Sequence, residues 1–169
     1  MPVREILLLG NPTLYETSEP ITKDELPAVA RVIADLHDTL FAFRNNYGAG
    51  RAIAAPQIGV MKRLLYLHID RPVVFINPEL VGKSNIFIEI WDDCMCFPDL
   101  LVRVRRHKAC RIRYHDLDWN EHEMTLEDDL SELLQHEYDH LDGILAVSRA
   151  IDARSFALKS QRHLLNNPE

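Results

Sequence analysis

Residues 125 to 143 read Thr-Leu-Glu-Asp-Asp-Leu-Ser-Glu-Leu-Leu-Gln-His-Glu-Tyr-Asp-His-Leu-Asp-Gly. A helix starts after Thr125, because Glu127, Asp128 and Asp129 stand where the positive end of a helix dipole favours acidic side chains. It stops at Asp142-Gly143, where glycine offers a left-handed cap. On such a helix His136 and His140, four residues apart, project from one face about one turn from each other. That is the spacing of two imidazole ligands of a single metal ion. Glu137 adjoins the first imidazole and is placed to take a proton from a water held by such an ion.

Upstream, Leu26, Val29, Ile33, Leu36, Leu40 and Phe43 recur at spacings of three and four, which places them on one face of another helix. Thr22 and Glu25 form a capping box at its start. Between the two helices lie short stretches rich in β-branched or aromatic residues, separated by turn residues. They are Leu64 to Ile69, Val73 to Ile76, Ile86 to Ile90, Leu100 to Val104 and Cys110 to Tyr114. A third helix is expected from Asp152 to about Leu165. Helix, strands and helix in this order predict an α+β fold, a mostly antiparallel sheet packed around the central His-Glu-x-x-His helix with N-terminal and C-terminal helices. With 169 residues, no repeat and no linker, the chain reads as one domain over 1–169.

Composition narrows the function. A net charge of −7 argues against general affinity for nucleic acid or anionic membrane. No apolar run approaches the length of a membrane span, and the run near the start is too short for a signal peptide, so a cytoplasmic protein is expected. The six basic residues between Arg103 and Arg113 are expected to be solvent-facing side chains of a hairpin. Three cysteines, an odd and small number, do not make a disulfide framework.

A third metal ligand is therefore sought among the thiols. In Trp-Asp-Asp-Cys-Met-Cys-Phe-Pro, residues 91 to 98, a thiolate completes a site of one Cys and two His with a position left for water. Cys94 and Cys96 are two apart and share one side of a strand, so spacing does not choose between them. A third segment, residues 48 to 59, reads Gly-Ala-Gly-Arg-Ala-Ile-Ala-Ala-Pro-Gln-Ile-Gly. Its small side chains let a ligand approach the backbone, and Gln57 is an uncharged donor suited to an anionic oxygen.

Taken together, the three segments resemble the ordered motifs of the peptide deformylase family, Gly-x-Gly-Leu-Ala-Ala-Pro-Gln, Glu-Gly-Cys-Leu-Ser and Gln-His-Glu-x-Asp-His. The resemblance runs over nearly the whole chain, from a first strand near Ile6 onward. It implies that Cys94, His136 and His140 hold one divalent ion, ferrous iron first among Fe, Zn, Ni and Co. It selects Cys94 because Cys96 falls where the family has Ser. It further implies that Glu137 is the catalytic acid and base, and that Gln57 and the backbone N–H of Met95 hold the oxyanion. N-formylated nascent peptides are then the substrates, lying along Gly50, Ala52 and Ile53 with Leu133 in the side-chain pocket. The basic C-terminal segment, with Arg149, Arg154, Lys159 and Arg162, would be a ribosome contact.

Departures from the motifs carry their own expectations. Ala52 and Ile53 replace Gly and Leu, and Asp92 and Asp93 replace Glu and Gly. Asp92 is expected to pair with Arg106, which falls where the family has a partner arginine. Asp129 and Glu132 stand where family members often have apolar residues lining the methionine pocket, so a departure from formyl-methionine is expected. An inactive relative that binds metal and peptides, or a hydrolase of other formamides, is the competing expectation. Intact Glu137 and Gln57 favour the enzyme.

Overall fold

The computed structural model describes residues 3–165. The apolar spacing upstream becomes α1 (Leu26–Tyr47), with Val29, Leu36 and Leu40 buried. The Glu25 carboxylate accepts from the Thr22 N–H at 2.7 Å, as the capping box requires, on a 3-10 turn that leads into α1. The helix runs past Phe43 and ends at Gly48, whose φ of 69° is the left-handed cap.

Eight strands follow: β1 (Ala52–Ala54), β2 (Leu64–His68), β3 (Pro72–Val81), β4 (Phe87–Asp92), β5 (Leu100–His107), β6 (Ala109–His115), β7 (Glu121–Glu127) and β8 (Phe156–Leu158). The strands β1-β2-β3-β6-β7, in that order, form one sheet and β4-β5-β8 another. All their pairings are antiparallel. Between β7 and β8 comes α2 (Asp128–Leu141), the helix of the His-Glu-x-x-His motif.

The period of two along each strand sorts the core onto two faces of the larger sheet. Ala52, Ala54, Leu65, Leu67 and Phe75 face α2 and pack with its Leu134 and Leu141. Ile53, Leu64, Tyr66 and Ile76 face the other way, against Val29, Leu36 and Leu40 of α1. A third cluster packs Cys94, Cys96 and Phe97 against Val102 and Val104 of β5. Among the described residues no helix is long and apolar enough to cross a membrane.

Several expectations are corrected. The second helix begins after Thr125 as expected, but only at Asp128, because Thr125 to Glu127 still belong to β7 and pair with β6. The chain turns from strand to helix at Asp128, with φ 49°. The basic stretch does not form a hairpin, since β5 and β6 belong to different sheets. Arg105, Arg111 and Arg113 are exposed as expected, but Arg106 is buried. The stretch near Ile6 forms no strand. It runs extended between two loops, with the Leu7 N–H donating to Gln57 O and the Leu9 N–H to Cys96 O, both at 2.8 Å.

The expected C-terminal helix is replaced by β8 and a 3-10 turn (Lys159–Leu164). The Asp152 carboxylate accepts from the Arg154 N–H and the Ser155 hydroxyl, at 2.8 and 3.0 Å. This local alternative to helical hydrogen bonding hands the chain to the edge of β5, where Phe156 to Leu158 pair with Val102 to Leu100.

Candidate active site

Helix α2 presents His136 and His140 with ring centroids 5.1 Å apart. The loop after β4 brings Cys94 to them, its Sγ lying 3.4 Å from His140 Nε2. The ligand atoms of Cys94, His136 and His140 all lie within 4.8 Å of one another, and all three residues are buried. One thiol and two imidazoles converging in this way fit a divalent ion of borderline softness. Cys96 is outside that group. Its backbone N–H donates to Cys94 Sγ at 3.4 Å, so it supports the thiol that faces the histidines.

Behind the cluster lies a chain of buried charge. His136 Nδ1 lies 2.8 Å from Asp92 Oδ2, which leaves Nε2 for the cluster. The same Asp92 oxygen accepts from Arg106 Nη2 at 3.1 Å, the pair expected from the sequence. Arg106 Nη1 donates to Asp139 Oδ2 at 2.6 Å, and Arg149 Nη2 donates to Asp139 Oδ1 at 2.8 Å. Burial pushes the Asp92 carboxyl up, but His136 and Arg106 outweigh it and hold the group below its ordinary value. Carboxylate support of this kind fixes the orientation of a ligating imidazole. His140 has no such partner among the described residues, since its Nδ1 is buried without a hydrogen bond to any of them.

Glu137 is 4% exposed and its Oε2 has no hydrogen-bond partner among the described residues. Burial pushes its carboxyl up to about 7, with Asp92 adding to the rise and His136 and arginines opposing it. A carboxyl poised there suits both uptake and return of a proton near neutral pH. Gln57 is fixed by its own loop. Its Oε1 accepts from the Ala54 N–H at 2.8 Å, which turns the amide N–H2 toward Cys94 and Cys96, at 3.6 and 3.5 Å to the sulfurs. The Met95 N–H makes no hydrogen bond among the described residues.

A cavity of about 400 Å³ opens over Cys94, His136 and Glu137, walled nearby by Gly50, Ala52, Met95 and Leu133. At Gly50 the φ of +133° is one that residues with a side chain rarely adopt, although a Cβ there would meet Leu40 and Phe43 at an ordinary contact distance of 3.4 Å. Ala52 belongs to β1, which pairs with β2 on one side and is an edge of its sheet on the other. Ile53, expected to contact substrate, is instead fully buried against α1 and does not line the cavity, because neighbouring strand residues face opposite ways.

Part of the lining is charged. Glu132, 8% exposed, takes Arg51 Nη2 on its Oε1 at 3.2 Å, and Lys159 Nζ lies 3.3 Å from Asp93 Oδ2. Asp129 is exposed and does not line the cavity, so only Glu132 of the two carboxylates expected at the pocket is there. Arg51, Lys159 and Arg162 are wall residues that the sequence did not single out for this place. Arg51 sits inside the small-residue loop and was open to notice. Lys159 and Arg162 arrive only through the pairing of β8.

The family model of polypeptide deformylase matches residues 3–155. The peptide deformylase of Pseudothermotoga lettingae is 33% identical over 159 residues, covering 94% of this chain and 90% of that protein. A peptide deformylase-like protein of Brucella melitensis is 37% identical over 153 residues, covering 88% and 89%. The crystal structure of peptide deformylase from Thermotoga maritima superposes with a TM-score of 0.82 at 27% identity, over 90% of this chain and all of that one (100%). With Cys, two His and Glu gathered in one buried site, and with a family match over most of its length, the chain belongs to the polypeptide deformylase family.

Proposed function

We propose that Cys94, His136 and His140 hold one divalent ion and that Glu137, Gln57 and the Met95 N–H carry out the proton transfer and charge stabilisation of deformylation. The reaction is that of the family, in which a metallohydrolase removes the N-formyl group of nascent peptides. The observation that supports these roles best is the convergence of three ligand atoms within 4.8 Å beside the unpartnered Glu137 Oε2.

A divalent ion held there supplies Lewis acidity that lowers the pKa of a water from about 15.7 toward ~7. Glu137 accepts the proton of the attacking water at Oε2. As the C–N bond of the formamide breaks, the same oxygen returns that proton to the departing nitrogen, leaving formate and a free amine. Gln57 Nε2–H and the Met95 N–H donate to the formyl oxygen as it gains charge, and both are fixed beforehand. Asp92 keeps His136 in one tautomer and orientation. The free edge of β1 offers the peptide backbone an added strand, close to Gly50 and Ala52. Ferrous iron is the proposed ion, and Zn, Ni and Co suit the same donors.

The test is formate release from a formyl-methionyl tripeptide by protein loaded separately with each ion. Turnover with at least one ion, abolished by chelation and restored by that ion, is the expected result. No formate with any of them overturns the reading.

A further inference from the structure

One wall of the pocket carries a feature that deformylation of a thioether side chain does not use. Glu132 stands one turn before His136 on α2, and its side chain is 11% exposed. One carboxylate oxygen accepts from Arg51, and the other has no hydrogen-bond partner among the described residues. Arg51 comes from the opposite side, just before β1, and its side chain is 44% exposed with a single guanidinium nitrogen engaged. Acceptor and donor thus stand side by side on the wall of the cavity that holds His136 and Glu137. A second cavity adjoins the first at Ile90, Trp91, Glu132 and Arg162, so there is room beyond the ion pair for the end of a side chain.

The second Glu132 oxygen is open to water, and an apolar side chain filling the pocket would strip that water and leave the oxygen without a donor, at a cost. A lysine would satisfy Glu132 but face the Arg51 guanidinium. A glutamate would satisfy Arg51 but face the Glu132 carboxylate. A carboxamide meets both at no change in net charge, donating N–H to Glu132 and accepting from Arg51. Glutamine has nearly the reach of methionine, and its methylenes would lie against Ile90 and Leu133.

We propose that the Arg51–Glu132 pair makes this pocket selective for a formylated substrate whose first side chain ends in a carboxamide, glutamine before methionine. The inference rests on the deformylase reading and names the substrate class of the same site.

The test compares kcat/KM for tripeptides that differ only in a first residue of formyl-Gln, formyl-Met, formyl-Lys or formyl-Glu, using metal-loaded protein. The expected result is formyl-Gln ahead of the other three, with an advantage over formyl-Met of ~10-fold or more, since a site built to hydrogen-bond a substrate penalises one that lacks the group. In the double variant Arg51→Leu/Glu132→Leu the order of Gln and Met should reverse. Formyl-Met equal to or ahead of formyl-Gln in the unaltered protein overturns the proposal, as does a lead for Lys or Glu. Binding of the same peptides to metal-loaded Glu137→Gln separates the two readings. Tighter binding of formyl-Gln without any turnover by the unaltered enzyme would keep the pocket assignment and remove the deformylase mechanism. Tighter or equal binding of formyl-Met would remove the pocket assignment alone.

Discussion

Removing the Arg106 guanidinium strikes a group that joins the candidate metal site, through Asp92, to Asp139. Its side chain is 3% exposed and lies between Asp92 and Asp139, at 3.1 and 2.6 Å. In Arg106→Ala both carboxylates lose a buried countercharge, although Asp139 keeps Arg149 and Asp92 keeps His136. Breaking a buried pair by removing one partner costs about 3–5 kcal/mol. For a chain of this size, at about 2–4 °C per kcal/mol, that is a fall in Tm of roughly 6–20 °C.

The sign of the pH dependence follows from Asp92. Its carboxyl is held below the ordinary value of 3.8, so it contributes stability that is present above that value and lost as the pH falls through the lowered one. Without Arg106 that lowering shrinks, and acid unfolding of the metal-free protein begins at higher pH. Metal affinity, read by competition with a chelator, should weaken by ~10 to 100-fold as His136 loses firm support. Arg106→Lys keeps a charge but not the two-pronged geometry and should fall between. An Arg106→Ala protein with a Tm within about 2 °C of the original, an unchanged acid limb and unchanged metal affinity would refute the reasoning.

Three further outcomes are expected. Cys94→Ala loses the metal ion while Cys96→Ala retains it near one per chain, and elemental analysis of the two proteins checks this. Gln57→Ala lowers kcat by a factor on the order of 10² with metal content unchanged, whereas an effect confined to KM in steady-state kinetics would assign the amide to ground-state binding. Gly143→Ala is destabilised by roughly 1–3 kcal/mol or more, since φ is +71° and the new Cβ would stand 2.4 Å from Tyr15 O. Denaturant unfolding measures that loss, and a neutral result would contradict the close approach.

What the sequence made legible is the part written in local spacing. The positions of His136, Glu137 and His140 are fixed by one helical turn, and α1 by its apolar recurrence, so both could be read before any tertiary contact was known. Cys94 needed the resemblance, because two thiols two residues apart are equivalent until the loop after β4 is folded. Charged edge strands were harder to see. In β7 the alternation of Glu121, Glu123 and Thr125 with His122, Met124 and Leu126 is masked by charges that blunt an open edge. The C-terminal stretch has helix-forming residues but is captured by the edge of β5, a competition between distant segments that local propensity does not contain. The same capture explains why Lys159 and Arg162 went unnoticed at the cavity. Asp139 was missed for a related reason. Its role is defined by Arg106, from a strand 33 residues before it, and by Arg149, in the 3-10 turn ten residues after it.

The most direct test of the central claim is a paired measurement on Glu137→Gln and the unaltered protein, metal content and formate release from a formyl peptide in the same samples. The account predicts equal metal, near one ion per chain, and turnover in the variant reduced by ~10² to 10⁴-fold, because the proton carrier is gone and the ligands remain. Substantial formate release by metal-loaded Glu137→Gln would contradict it.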